Sequence, residues 1–380
     1  MIDKKKLILI SSQAIDQRNL ERFQLLYLDE KFDFEFWDIS EIQSKTKLVQ
    51  DENKIQINIK VLKLKKIIEL FLNYFNLPKK SFVIDLSSYD SVINILIKNL
   101  AYLKGVKFIY IYIGDYVQTI NSNRVLALFK KIFKKNYLLN ILKRKLYFFK
   151  NYLRFYKFSF SFVGGQLNYK KHKGKNVIFS HSFDYNNYLD SIDLTKPIKD
   201  DYIVYIDQMY TTHPEWDFLN VPTFIDKNFY DYLELFFKIL RKKYNKKIIF
   251  CAHPKAKKND KYLERFENVV IDQLDIYSKY ADLVVGHDSI GINYPILYKK
   301  PLYLLIMPGM ELTNKLDNIK LMSEILGCNL IDIKNFEFKN LEDIKPVDNE
   351  KYEKYIRDYI KFGGEKINSW KILSKSILKQ

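Results

Sequence analysis

Two short stretches carry residue types that could do chemistry together. In "KIIFCAHPK", His253, Pro254 and Lys255 follow an apolar run. In "DLVVGHDSIG", Gly286, His287, Asp288, Ser289 and Gly291 follow another. An imidazole can donate to a phosphate oxygen or protonate a departing phosphate. Lys255 and Lys257 add positive potential beside it, and Pro254 fixes the chain as it leaves the run. A serine where a helix begins is most simply an N-cap. The same hydroxyl, with free backbone N–H groups and the helix dipole, also makes a phosphate site, and flanking glycines let backbone approach closely. Both readings stand at this level. His287 and Asp288 add polar groups that a cap alone would not require.

Three acidic residues are candidates for a general base. Asp207 ends "YIVYID" and Asp115 ends "VKFIYIYIGD", both apolar runs. Asp231, in "FYDYLE", lies inside an amphipathic helical pattern, where a surface role serves as well. Gln208 and His213 are candidates to contact substrate; His213, in a second His-Pro pair, could equally end a loop. No metal or other cofactor is expected. No Asp-x-Asp follows a strand, and the five His and two Cys are scattered without zinc-site spacing. Neither GxxxxGK[ST] nor GxGxxG occurs, so ATPase and dinucleotide oxidoreductase readings lack their phosphate loops.

The elements that must position these residues alternate. "KLILISS", "FDFEFWDIS", "SFVIDLSS" and "VKFIYIYIGD" read as strands; "LERFQLLYLDEK", "VLKLKKIIELFLNYF" and "SVINILIKNLAYLKG" have helical spacing. "FSFSFVGG" and "NVIFSHSFDY" add two strands before "DLTKPIKDD", a polar linker. The rhythm then restarts: strand 202–208, helix 227–246, strand 247–255, strand 268–272, helix 275–281, strand 282–289, a Pro-interrupted helix at 290–300 and strand 301–307. Continuous apolar strands alternating with helices predict α/β structure with parallel sheets covered on both faces. The expected fold is therefore two Rossmann-like doubly wound domains, 1–195 and 196–345, with C-terminal helices over 346–380 that pack back across them. Ligands in such sheets bind beyond the carboxyl ends of the strands, where Asp115, Asp207, His253 and the 286–291 turn all fall.

At this point the residues resemble a family. "YIDQMYTTHPEWDF", "FYDYLELFFKILRKKYNKKIIFCAHPK" and "ADLVVGHDSIGINYPILYKKPL" are similar to bacterial glycosyltransferases of the GT-B type that use CMP-activated sugars, the sialyltransferases and related capsule or lipooligosaccharide enzymes. The resemblance covers about residues 200–305, and the first half shares only the general shape. It implies that the HP motif and a later serine motif contact CMP. His253 would then bind phosphate or act as acid toward the leaving CMP, and Ser289 would hold the phosphate with the N–H groups of its turn. The family's general base lies in a short D/E-D/E-G motif upstream of HP, which is missing here. That departure leaves Asp207, Asp115 and Asp231 as alternatives.

Length and charge set the remaining bounds. At 380 residues and 47% hydrophobic, the chain can bury two cores. Cys251 and Cys328 make no disulfide framework. The apolar run in "MIDKKKLILISS" is too short for a signal peptide, and none approaches the roughly 18 residues of a spanning helix. The expected location is the cytoplasm, with peripheral attachment to the inner membrane open. The net charge of +18 is unevenly spread: no acidic residue lies between Asp115 and Asp184, where 15 Lys or Arg occur. The basic stretch 124–158 has three readings: a solvated helix, an interfacial helix on anionic lipid, or a nucleic-acid contact, the last without any known motif.

Together these features predict a metal-independent glycosyltransferase of surface-glycan synthesis. Its expected donor is a CMP-linked acidic sugar of the sialic, nonulosonic or Kdo type, and its acceptor a glycan or lipid-linked glycan. The alternatives are a transferase using a UDP-sugar, GDP-sugar or CDP-polyol donor, and a non-catalytic membrane-associated scaffold of the polysaccharide machinery. Nucleic acid is not an expected partner.

Overall fold

The computed structural model describes residues 4–12, 15, 20–21, 23–43, 59–87, 89, 91–114, 117, 146, 148–171, 176–212, 228–312, 315–335 and 341–379. Asp115, His213 and most of the basic stretch 124–158 lie outside them.

Two parallel sheets organise the chain. The first contains β1 (Lys6–Ser11), β2 (Asp33–Asp38), β3 (Lys60–Lys63), β4 (Phe82–Asp85), β5 (Lys107–Tyr112), β6 (Phe158–Gly164) and β7 (Val177–Ser180), in the order β3-β2-β1-β4-β5-β6-β7. The second contains β8 (Tyr202–Ile206), β9 (Lys247–Ala252), β10 (Val269–Ile271), β11 (Leu283–Gly286), β12 (Leu302–Ile306) and β13 (Asn329–Asp332), in the order β10-β9-β8-β11-β12-β13. Both run outward from their first strand, then reverse and continue on its other side, which is the doubly wound pattern. The α/β expectation of two Rossmann-like sheets is met.

The reason is visible in β1, whose four inner residues are all buried. Leu7 and Leu9 join one apolar cluster, while Ile8 and Ile10 join another on the opposite face. A strand that buries both faces needs cover on both sides. On the Ile8 side the cover is α1 (Ile67–Asn76) and α2 (Val92–Leu103), through Leu70, Tyr74, Ile97 and Ala101. On the Leu7 side it includes the last helix, α8 (Ser369–Leu378), through Trp370, Leu373 and Ile377. Each such fully buried Leu or Ile contributes about 1.5–3 kcal/mol.

The chain thus returns from the second sheet to the first. The helix α7 (Asn349–Tyr355) buries Tyr352 and Tyr355 in the second core, then continues as one π-helical turn, Ile356–Ile360. Gly165, at φ +76°, is needed where this turn passes: a Cβ there would lie 2.6 Å from the Asp358 carbonyl oxygen. His181, just after β7, forms an isolated antiparallel bridge with Lys361, and Ser182 N–H donates to the Ile360 carbonyl at 3.0 Å.

Several local expectations shift. "VLKLKK" reads as helix, but Lys60–Lys63 forms the edge strand β3 and the helix starts at Ile67. "NVIFSHSFDY" reads as strand throughout, whereas β7 stops at Ser180 and α3 (Phe183–Ser191) begins at Phe183. The helix Lys315–Leu326 and strand β13 go unread in the sequence. The remaining helices used below are α4 (Phe229–Tyr244), α5 (Leu274–Tyr280) and α6 (Asn293–Leu297).

Candidate functional site

β9, β8 and β11 are neighbours in the second sheet, so the loops leaving their carboxyl ends meet at the point where the strand order reverses. Asp207 leaves β8, His253 leaves β9 and His287–Gly291 leave β11. The structure brings these three loops together and ties them with named hydrogen bonds.

Asp207 is the first tie. Its Oδ1 accepts from Met209 N–H at 3.0 Å. Its Oδ2 accepts from His253 N–H at 3.2 Å and from the Tyr262 hydroxyl at 2.8 Å. Burial raises the Asp207 pKa, and the backbone and tyrosine donors oppose the rise. Buried and holding three donors, this carboxylate faces the loops around it, and its bond to His253 N–H sets where the His253 loop leaves the sheet.

Gln208 is the second tie. Its Nε2 donates to the Asp288 carbonyl at 2.7 Å, joining the β8 and β11 loops across the strand reversal. The fit there is close. A Cβ on Gly291 would lie 2.9 Å from Leu274 Cδ2 and 3.3 Å from Ile206 Cγ2, and one on Gly286 would lie 3.3 Å from Ile206 Cδ1. Neither glycine has a positive φ. Both are small because Ile206 packs under the turn.

His253 is half-buried and held at both ends of its own turn. Its carbonyl accepts from Ala256 N–H at 2.8 Å, and its Nδ1 accepts from Lys255 N–H at 3.1 Å. A nitrogen that accepts carries no proton, so the neutral ring has its hydrogen on Nε2. In that tautomer Nε2 is the ring's donor, with Pro254 and Lys255 half-buried beside it and Lys257 exposed.

His287 is a core residue, contrary to the expectation that it contacts nucleotide. It has no exposed surface, and its Nε2 meets the Tyr205 hydroxyl at 2.7 Å. Tyr205 and Tyr210 pack edge-on against its ring at 5.2 and 5.4 Å. Burial, helped by the charge of Lys315, pushes its pKa down to about 3, so the imidazole is neutral across the physiological range.

Asp288 and Ser289 complete the turn. The Asp288 side chain is 2% exposed, with Lys315 Nζ 4.0 Å from its Oδ2 and no hydrogen-bond partner on its Oδ1. Burial raises its pKa and Lys315 opposes the rise. Ser289 is half-buried and accepts from Gly291 N–H at 3.2 Å, capping the 3₁₀ turn Ile290–Ile292 that runs into α6. The capping reading is realised. The hydroxyl hydrogen, which the cap does not use, remains available as a donor.

Asp231 is on the surface of α4, paired with Arg265 at 2.5 Å while Arg265 also holds Glu234. An ion pair already engages it, which does not favour proton transfer. Tyr262 went unread in the sequence; a tyrosine ten residues past a strand end carries no local signal of reaching back to it. Among the described residues, no group of three or more His, Cys, Asp or Glu could hold a metal ion, and no helix is long and apolar enough to cross a membrane.

No family model matches the chain, and no curated protein sequence does. Solved structures do match it. The wall teichoic acid polymerase TagF is 12% identical, over 98% of this chain and 88% of its own, with a TM-score of 0.52. MurG of Acinetobacter baumannii is 8% identical over 99% and 100%, at 0.49. The UDP-GlcNAc 2-epimerase of Methanocaldococcus jannaschii is 16% identical over 99% of both chains, at 0.45. At these identities the likeness to TagF is one of fold, and with the two doubly wound sheets it gives this chain a GT-B-like architecture.

Proposed function

We propose that this chain is a nucleotide-sugar-dependent glycosyltransferase whose donor phosphate sits where the β8, β9 and β11 loops meet. The observation that carries the reading is the tie between those loops: Asp207 fixes the His253 loop and Gln208 fixes the Ser289 turn. The partnerless Oδ1 of Asp288 is a buried acceptor that suits a hydroxyl or N–H of the donor and not its phosphate; left unmet it costs about 1–3 kcal/mol.

In this reading His253 Nε2–H and the Ser289 hydroxyl donate to the donor's phosphate oxygens, and Lys255 and Lys257 offset their charge. The bond between the anomeric carbon and the phosphate oxygen breaks, the nucleotide departs as an anion, and these donors stabilise the charge that develops on it. The acceptor hydroxyl supplies the new bond and loses its proton to a base. With Asp207 and Asp231 engaged elsewhere, Asp115 is the base we propose.

The HP and serine motifs favour a CMP-linked acidic sugar, which also suits a basic chain. The alternative donors are a CDP-linked polyol, a UDP-sugar and a GDP-sugar. Thermal shifts of the purified protein with CMP, CDP, UDP, GDP and ADP decide between them. Selective stabilisation by CMP, lost in His253→Ala and Ser289→Ala, supports the first reading. Selectivity for CDP, UDP or GDP keeps the transferase and replaces the donor. Silence from all five nucleotides overturns the proposal in favour of a non-catalytic scaffold.

A further inference from the structure

The Ile8 face of the first sheet is covered by helices whose outer sides are as apolar as their inner ones. On α1, Leu70 and Tyr74 are buried, yet Ile68, Leu72 and Phe75 form a second stripe at spacings of four and three, all exposed. On α2, Ile93, Leu96, Leu100 and Leu103 do the same, with Leu103 69% exposed. A helix that covers one core has no need of an apolar outer stripe.

The stripes lie side by side. Lys104, at the end of α2, donates to the Phe75 carbonyl at the end of α1 and lies 5.2 Å over the Phe75 ring. On its other flank α2 meets the end of the basic stretch: Asn99 Nδ2 donates to the Leu153 carbonyl at 2.8 Å, and Asn99 Oδ1 accepts from Tyr156 N–H at 3.1 Å. That segment continues the pattern, with Phe148 70% and Tyr152 88% exposed. Among the described residues, 12 of the 20 exposed large apolar side chains belong to these three segments. A soluble monomer rarely gathers so many in one place.

The surrounding charge is predominantly positive. Lys79 and Lys80 follow α1, Lys104 ends α2, and Lys150, Arg154 and Lys157 line the third segment. Across α1, α2 and residues 146–157 the sole acidic residue is Glu69, and its carboxylate already accepts from Lys65 N–H at 2.8 Å. Apolar side chains bordered by cations suit a surface that is anionic outside and hydrocarbon within.

We propose that the outer face of α1, α2 and residues 146 and 148–157 docks on an anionic lipid bilayer, with the apolar stripes entering the headgroup boundary and the lysines pairing with lipid phosphates. The basic stretch of the sequence supplies only one of the three segments; the other two begin 79 and 54 residues before it and are joined to it by the fold. This docking does not depend on which nucleotide the second sheet binds.

Vesicle co-sedimentation of the full chain tests it, using pure phosphatidylcholine and equimolar phosphatidylcholine with phosphatidylglycerol. The wild type partitions to the anionic vesicles, and added salt weakens the binding. Leu72→Glu with Leu100→Glu lowers that partition by about tenfold or more, Lys79→Glu with Lys157→Glu weakens it on anionic vesicles, and Leu235→Glu, on exposed α4 surface, leaves it unchanged. Thermal melting of each variant confirms that the fold is retained. A wild type that ignores both vesicles, or a Leu72/Leu100 variant that still binds like the wild type, overturns the proposal. So does a wild-type dimer that the same substitutions convert to monomer without vesicle binding, which would make this a self-association face.

Discussion

Asp207 Oδ2 accepts hydrogen bonds from the His253 backbone N–H at 3.2 Å and from the Tyr262 hydroxyl at 2.8 Å. One buried carboxylate thus sets the exit of the neighbouring strand's loop. Asp207→Ala leaves both donors and Met209 N–H unmet, and is expected to cost about 2–4 kcal/mol in urea unfolding. Tyr262→Phe removes a single bond and costs about 1 kcal/mol. Equal losses from the two variants would show that the carboxylate is not the hub.

His253 offers a sharper separation of structure from chemistry. An asparagine at this position can place Oδ1 where Nδ1 now accepts from Lys255 N–H, but it has no counterpart of Nε2. His253→Asn is expected to unfold within about 1 kcal/mol of the wild type while losing nucleotide stabilisation and transfer. If it keeps both, the Nε2–H group is not what meets the phosphate.

Stability should fall on the acid side of neutrality because of His287. Its folded pKa of about 3 lies below the usual imidazole value of 6.5. The unfolded chain therefore binds the proton first as pH falls. The contribution is complete above about pH 6.5 and declines from there toward pH 3. His287→Phe loses the Tyr205 hydroxyl contact, about 1–2 kcal/mol, but should flatten this limb of the stability curve. An unchanged slope in the variant would assign the acid sensitivity to other groups.

Glu35 acts in a lower window. Burial alone would raise its pKa, but hydrogen bonds from Lys6, Lys60 and the Trp37 indole hold it at about 2. A depressed carboxylate stabilises the fold above its unfolded pKa of 4.5, and loses that contribution as pH falls through about 2. Discounted for the solvent-exposed Lys60, Glu35→Gln should cost about 1–2 kcal/mol at neutral pH and little near pH 2. A constant difference at every pH would rule out the ion pairs as its source.

Gly291→Ala is expected to destabilise by about 1–3 kcal/mol, because its Cβ would press on Leu274 at 2.9 Å and Ile206 at 3.3 Å. Gly286→Ala, whose nearest contact is 3.3 Å, should cost less. Adding Leu274→Ala to Gly291→Ala should restore part of the loss in thermal melts. An additive double mutant would mean that the two side chains do not compete for the same space.

The sequence by itself determined the α/β class and most of the strands, though β3 read as helix and β13 went unread. Runs such as "KLILIS" and "YIVYI" are apolar at every inner position, and such strands are stable only where both faces are covered, so alternation with helices already dictates parallel α/β structure. It also placed Asp207, His253 and Ser289 at strand ends, because the apolar runs visibly stop there. The jobs of these residues were decided by partners distant in the chain. Asp207 meets His253 and Tyr262, Gln208 meets Asp288, and Tyr205 takes up His287, across 46 to 82 positions. No local pattern encodes such pairings, so a candidate base and a candidate ligand became a loop anchor and a core imidazole. The outer stripes of α1 and α2 show the same limit: periodicity marks Leu72 and Leu100 as apolar, but only packing on the sheet decides which stripe is covered and which is left facing out.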